Sequence, residues 1–208
     1  GSEQDRLSPG APARPKPPAF KDPPQKNTRT KTMTTTICEL KASANGSSRA
    51  VLQQNGQDVE WKATAKTTMP WQPNSYDIDS NTLDFCFRPT AELTAFVSGL
   101  EAEIVAQVAK SSETYFGKPL APDVVKAMFQ SALKVSNKGC EHFKCKGRYS
   151  NIKFWDKSQK PTNQPTVWSA DDEYKLVVRT GAVWFNSSGW GISYDLRHLQ
   201  IFASGCPF

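Results

Sequence analysis

The sequence predicts a mainly β protein of the α+β class: a coiled antiparallel sheet or barrel with two helices inserted in it or flanking it. Three observations carry this reading. Short apolar runs rich in β-branched and aromatic residues recur from residue 35 onward, bounded by Gly, Asn, Asp or Pro. Two stretches in the middle of the chain change to helical spacing. The closing stretch 177–202 alternates about a glycine-punctuated turn, the pattern of a long hairpin.

In chain order, the strand signals are "TTTICELKA", "DVEWKATA" and "NTLDFCFRP". After Pro89, which suits a helix's first turn, Leu93, Phe96, Val97, Leu100, Ile104, Val105 and Val108 form one apolar stripe, so a helix is expected over about 90–110. After Pro122, Val124, Val125, Met128, Phe129 and Leu133 predict a second helix over about 122–134. Both stripes read as core, because a helix beside a small barrel must bury one face. The strands "HFKCKGRYSNIKFWD" and "YKLVVRTGAVWFN" follow. In "AVWFNSSGWGISYDL" a β-hairpin is expected, with Gly189 and Gly191 easing the connection; the glycine patterns of phosphate and dinucleotide loops are absent. Ile192, Tyr194 and Leu196 alternate, and Leu199 and Ile201 alternate in the opposite parity. The side-chain period therefore slips around Arg197-His198, where a bulge or sharp bend is expected.

Residues 1–34 differ in composition. Prolines at 9, 12, 15, 17, 18, 23 and 24 bias the backbone to extended segments, and basic and polar residues leave little apolar surface to bury. A disordered Pro-rich basic arm is expected there, with Gly1-Ser2 reading as an expression scar, and one domain over 35–208. No run approaches the ~20 apolar residues of a membrane span. The expectation is an intracellular protein, cytosolic or nuclear, with no membrane partner.

The formal charge of +6 is unevenly spread. Residues 1–32 carry +4 and residues 138–160 carry +5, which leaves the remainder at −3. Such concentration favours a polyanionic partner. Cys38, Cys86, Cys140, Cys145 and Cys206 are odd in number and scattered, so reduced thiols are expected. Cys140, His142 and Cys145 in "KGCEHFKCKG" could offer zinc three ligands, but C-x4-C is not the usual knuckle and no second Cys/His pair follows, so no metal or other cofactor is expected. Asp171, Asp172 and Glu173 could serve a nuclease metal, yet consecutive carboxylates on a strand point in different directions, and no enzymatic activity is expected.

"SSETYFGKPLAPDVVKAMFQSALK", then "HFKCKGRYSNIKFWD", then "VWFNSSGWGISYDLRHLQIF" together resemble the single-stranded-DNA-binding proteins of large eukaryotic DNA viruses, distant relatives of the T7-type phage single-stranded-DNA-binding protein. The resemblance spans roughly residues 83 to 202 and is carried by Ser112, Phe116, Gly117, Lys118, Trp184, Phe185 and Gly191. It implies an OB-fold barrel with inserted helices and a role in replication or recombination, in a host nucleus or viral replication compartment. The chain closes on "FASGCPF", without the acidic tail of the phage type, so tail-mediated recruitment is not carried over.

The chemistry of that role needs cations that track phosphates and flat side chains on which unpaired bases stack. In "KCKGRYSNIKFWDKSQK", Lys144, Lys146 and Arg148 alternate with Phe143, Cys145 and Gly147, which places the cations on one strand face. Lys153 and Lys157 are further phosphate candidates, and Tyr149, Trp155 and Trp184 are stacking candidates. If Val183 and Phe185 face the core, Trp184 faces outward; platform and core both remain open for it, whereas Trp190 reads as a cap on the barrel end. Trp61, Trp71, Tyr76 and Trp168 have no register to assign them. Single-stranded DNA is the expected partner; RNA, replication proteins and a second copy of the chain as a homodimer are admitted beside it. The alternative is a basic nucleoprotein that coats duplex DNA or RNA through its arm.

Overall fold

The computed structural model describes residues 34–42, 46–75 and 81–203. All but the last residue of the expected arm, together with Tyr76 and Cys206, lie outside the described residues.

Short strands come first among the described residues: β1 (Thr35–Ile37), β2 (Lys41–Ala42), β3 (Ser48–Gln54), β4 (Gln57–Asp58), β5 (Glu60–Lys62) and β6 (Thr67–Thr68), before β7 (Thr82–Phe87). Helices α1 (Ala91–Lys110), α2 (Ser112–Phe116) and α3 (Pro122–Ala127) follow. Then come β8 (Phe129–Gln130), β9 (Leu133–Val135), β10 (Glu141–Arg148), a 3-10 turn (Tyr149–Asn151), β11 (Lys153–Trp155), β12 (Pro161–Thr162), β13 (Glu173–Asn186) and β14 (Gly189–Phe202).

The fold is mostly β, a large sheet with a few helices, and it is organised by the long β13–β14 hairpin. The strand path runs β1-β3-β13-β14-β10-β7. The sheet is mixed where the sequence suggested antiparallel pairing throughout: β8, β10 and β11 all attach in parallel to one edge of β14. The expected slip is present, since Val177 pairs with His198 while Val178 pairs with Leu196, leaving Arg197 as the extra residue of a bulge. A second irregularity lies between Thr180 and Val183, where the Ser193 hydroxyl donates to the Ala182 carbonyl and accepts from its N–H.

α1 follows its stripe. Leu93, Val97, Leu100, Ile104 and Val108 are buried in one cluster with Phe85, Phe87, Phe143, Leu176, Val178, Tyr194 and Leu199 of the sheet. Its N-cap is Thr90, whose hydroxyl accepts from the Leu93 N–H, so Pro89 sits just ahead of the cap and not in the first turn. Two polar residues of α1 hold the β1 edge: the Glu103 carboxylate accepts from the Thr35 N–H, and the Gln107 amide donates to the Thr35 carbonyl.

The second helix is shorter than 122–134. It ends at Ala127, and Phe129 and Leu133 enter strands β8 and β9. Trp190 supplies the reason. Its indole N–H donates to the Val125 carbonyl (2.8 Å) and its backbone N–H to the Met128 carbonyl (3.1 Å), taking groups that would otherwise continue or cap the helix. Trp190 is fully buried, its ring parallel to Phe185 and edge-on to Phe129. A Cβ at Gly189 would lie 2.6 Å from the Met128 carbonyl oxygen, and one at Gly191 2.7 Å from that of Gln130. Only glycine lets β8 approach the hairpin this closely.

Candidate nucleic-acid interface

Residues that are cross-strand partners share a face of the sheet, so the registers define which side chains look outward together. On β10, Phe143, Cys145 and Gly147 are buried, and Lys144, Lys146 and Arg148 take the other face, as their alternation predicts. The two lysines have acidic neighbours. The Lys144 ammonium lies 2.8 Å from Asp84 of β7, and Lys146 is the register partner of Asp84 on one side and Asp195 of β14 on the other. Arg148 donates from Nε to the Thr82 hydroxyl at 3.2 Å.

The same alternation separates the zinc candidates. His142 belongs to the outer face of β10, where Trp71 meets it edge-on at 4.8 Å, while Cys145 points into the core and is 1% exposed. Cys140, His142 and Cys145 therefore cannot converge on one ion, and among the described residues no group of three potential ligands does so. Burial pushes the Cys145 thiol well up and the Cys86 thiol up as well. The acidic run is likewise divided: Asp172 is buried beside Tyr174, and Glu173 pairs with Lys66 at 2.7 Å.

Trp184 faces outward, half-buried, its ring lying across Gly191, with Arg49 of β3 as its register partner; Val183 and Phe185 take the core side. Tyr149 sits half-buried in the 3-10 turn and packs against the core beside Phe154, with ring centroids 6.3 Å apart. Trp61 stacks on Phe96 of α1, and Trp168 packs among Phe85, Phe154 and Tyr174.

The outward positions also come together in a cavity of about 680 Å³, lined by Lys62 and Thr64 from the β5 side, Lys175 and Val177 of β13, His198 and Gln200 of β14, and Trp155 and Gln159 around β11. Lys153 is the register partner of His198 and adds a cation beside it, while Lys157 is exposed on the loop that follows β11. The Trp155 indole N–H donates to His198 Nδ1 at 3.1 Å. Burial lowers the His198 pKa, with Lys153, Arg197 and Lys62 acting in the same direction against Glu60, so its ring is neutral at pH 7. Nearby, Arg179 bridges Asp58 (2.9 Å) and Asp195 (3.3 Å).

Of the expected site residues, Trp155 and Lys153 belong to this cavity region, whereas Lys144, Lys146 and Arg148 lie further along the same face on β10. Sequence reasoning did not single out Lys62, Lys175 or His198 for binding. His198 alone had a local signal, because the parity slip at Arg197-His198 turns it outward; Lys62 is brought to it by the β5–β13 pairing across more than a hundred residues, and Lys175 by the hairpin register that sets it opposite Gln200.

No family model matches the chain, and neither does any curated protein. Among solved structures, it is similar to the single-stranded DNA-binding protein from bacteriophage Enc34 in complex with ssDNA, at a TM-score of 0.43 and 9% identity over 86% of this chain and 99% of that one. A C-terminal truncation of the Enc34 protein gives 0.46 and 11% over 83% and 98%. The similarity to gp2.5, a single-stranded DNA-binding protein encoded by bacteriophage T7, has a TM-score of 0.47 and 13% identity over 72% of this chain and 97% of that one.

Proposed function

We propose that this chain is a non-enzymatic, sequence-tolerant single-stranded-DNA-binding protein that acts in replication or recombination. The observation that supports it best is the shared outward face, which carries Lys62, Lys175, Lys153, Lys146 and Arg148 from four strands together with the partly exposed rings of Trp155 and Trp184. Phosphates meet the cations and bases stack on the rings, each stack contributing about 1–3 kcal/mol without a sequence code. From Val177, at the cavity, to Trp184 is seven residues of β13, about 23 Å at ~3.3 Å per residue, which is room for several nucleotides.

The test is a fluorescence-anisotropy titration with a labelled ~30-nucleotide single strand and the matching duplex at two salt concentrations. Tight, salt-sensitive preference for the single strand with quenched tryptophan emission is expected. Equal affinity for duplex would replace this reading with that of a coating protein, and no binding to either would end both.

A further inference from the structure

We propose that the cavity between β5, β13, β14 and β11 is a subsite for one unpaired base of a single DNA strand, seated flat on a two-ring platform formed jointly by Trp155 and His198. This rests on the single-strand reading and names what its tightest grip would be.

The platform follows from two measurements taken together. The rings of Trp155 and His198 are parallel to within 2°, with centroids 5.9 Å apart. Their nitrogens Nε1 and Nδ1 are only 3.1 Å apart, less than the ~3.5 Å at which two ring faces meet. An indole N–H also points along its own plane. The two rings therefore lie side by side, joined at their edges by the hydrogen bond, and present one continuous flat surface wider than an indole alone.

The surface is held in place before any ligand arrives. Gln200 donates from Nε2 to the carbonyls of Asp156 and Lys157, and Asp156 accepts from the N–H groups of Ser158 and Lys160, which fixes the loop that leaves Trp155. The neutral His198 ring keeps Nδ1 available as the acceptor, so the joint between the rings persists at pH 7. A ring that is already ordered gives up little further freedom when a base covers it.

The lining decides what covers it. Lys62 and Lys175 line the same cavity, and Lys153 and Arg197 stand beside His198, so a flat neutral group with an anion on each side fits better than a free aromatic side chain or a sugar. A nucleobase within a phosphodiester strand is that ligand. The volume of about 680 Å³ falls within the ~300–1,000 Å³ range of ligand clefts and leaves room for the flanking sugars.

The full chain is titrated with a 16-mer of thymidine and with a 16-mer of abasic sugar-phosphate, which carries the same charge without bases. Trp155→Ala is expected to lose about 5- to 150-fold in affinity for the thymidine strand and to be unchanged on the abasic strand. His198→Asn, which keeps an acceptor for the indole N–H but removes the ring, is expected to lose less and with the same dependence on bases. Trp155→Phe retains a flat ring, guards against misfolding and should fall between wild type and alanine. Equal losses on both strands would overturn the platform, as would a thymidine-strand affinity of Trp155→Ala that equals that of a wild type which binds it. Failure of the wild type to bind either strand would instead overturn the single-strand reading itself.

Discussion

Removing the cavity's two lysines gives the sharpest test of where phosphates bind. For single strands, the logarithm of affinity falls with the logarithm of salt with a slope of about −0.7 per neutralised phosphate. Lys62 is exposed and Lys175 half-buried, and both line the cavity. If each meets one phosphate, Lys62→Gln/Lys175→Gln flattens the slope by about 1.4. Between 50 and 200 mM salt, the variant should then lose roughly sevenfold less affinity than the wild type over the same range. Lys110→Gln/Lys126→Gln removes the same charge from the exposed faces of α1 and α3 and should leave the slope nearly unchanged. Anisotropy titrations of a thymidine strand at four salt concentrations measure all three proteins. A slope for the cavity pair that equals that of the wild type, or of the helix control, refutes the placement.

Other perturbations test the surroundings. Asp84→Asn removes the acid 2.8 Å from Lys144 on the outer face and should raise single-strand affinity about two- to fivefold, the ~0.5–1 kcal/mol of a partly exposed charge; unchanged binding would mean that β10 is not on the path. Glu101 is buried on α1, accepting from the Ser131 hydroxyl (2.6 Å) and the Ala132 N–H (2.9 Å), and burial raises its pKa. The raised value means its neutral form favours the fold, so this contribution is full below about pH 4.5, the usual carboxyl value, and is lost as pH rises through the folded pKa. Urea midpoints of the wild type minus those of Glu101→Gln should accordingly fall with rising pH, and a flat difference refutes the claim. Trp190→Ala should cost about 3–5 kcal/mol for the lost ring, plus ~1–3 kcal/mol for the Val125 carbonyl left without its donor. In urea denaturation Trp190→Phe should show mainly the second effect.

What the sequence discloses here depends on how local each cause is. The α1 stripe, the hairpin and the parity slip are written in consecutive residues, and each is realised in the fold. The end of α3 is not, because the group that takes the Val125 carbonyl comes from Trp190, 65 positions away. β3 escaped notice because its inward residues, Ala50 and Leu52, make a weak alternation inside a polar stretch. The cation row on β10 is legible from alternation alone, and the same alternation puts Cys145 and His142 on opposite faces of the strand. That Lys144 faces Asp84 depends on the β7–β10 register, a non-local fact. The cavity is the extreme case, since Lys62, Trp155, Lys175 and His198 meet only once β5, β11 and β14 are paired.

The bulge at Arg197 links these two kinds of information, and it can be removed. Leu196 and Leu199 both face the core although they are three residues apart, and the extra residue between them is what turns His198 outward beside Lys153. Deleting Arg197 leaves Leu196, His198 and Leu199 alternating inward, outward and inward, opposite the consecutive residues Val178, Val177 and Leu176. The hairpin register therefore survives the deletion. The attachments of β10 at Asp195 and of β11 at His198 would, however, move closer along β14 by one residue, about 3.3 Å, and the cavity between β11 and β13 would deform. Arg197→Ala removes the same charge and keeps the bulge. Both variants should fold by circular dichroism, and the deletion should bind a thymidine strand more weakly than the alanine variant. Since the two differ only in the bend, equal affinities would show that the bulge serves the closure of the sheet and not the shape of the binding face.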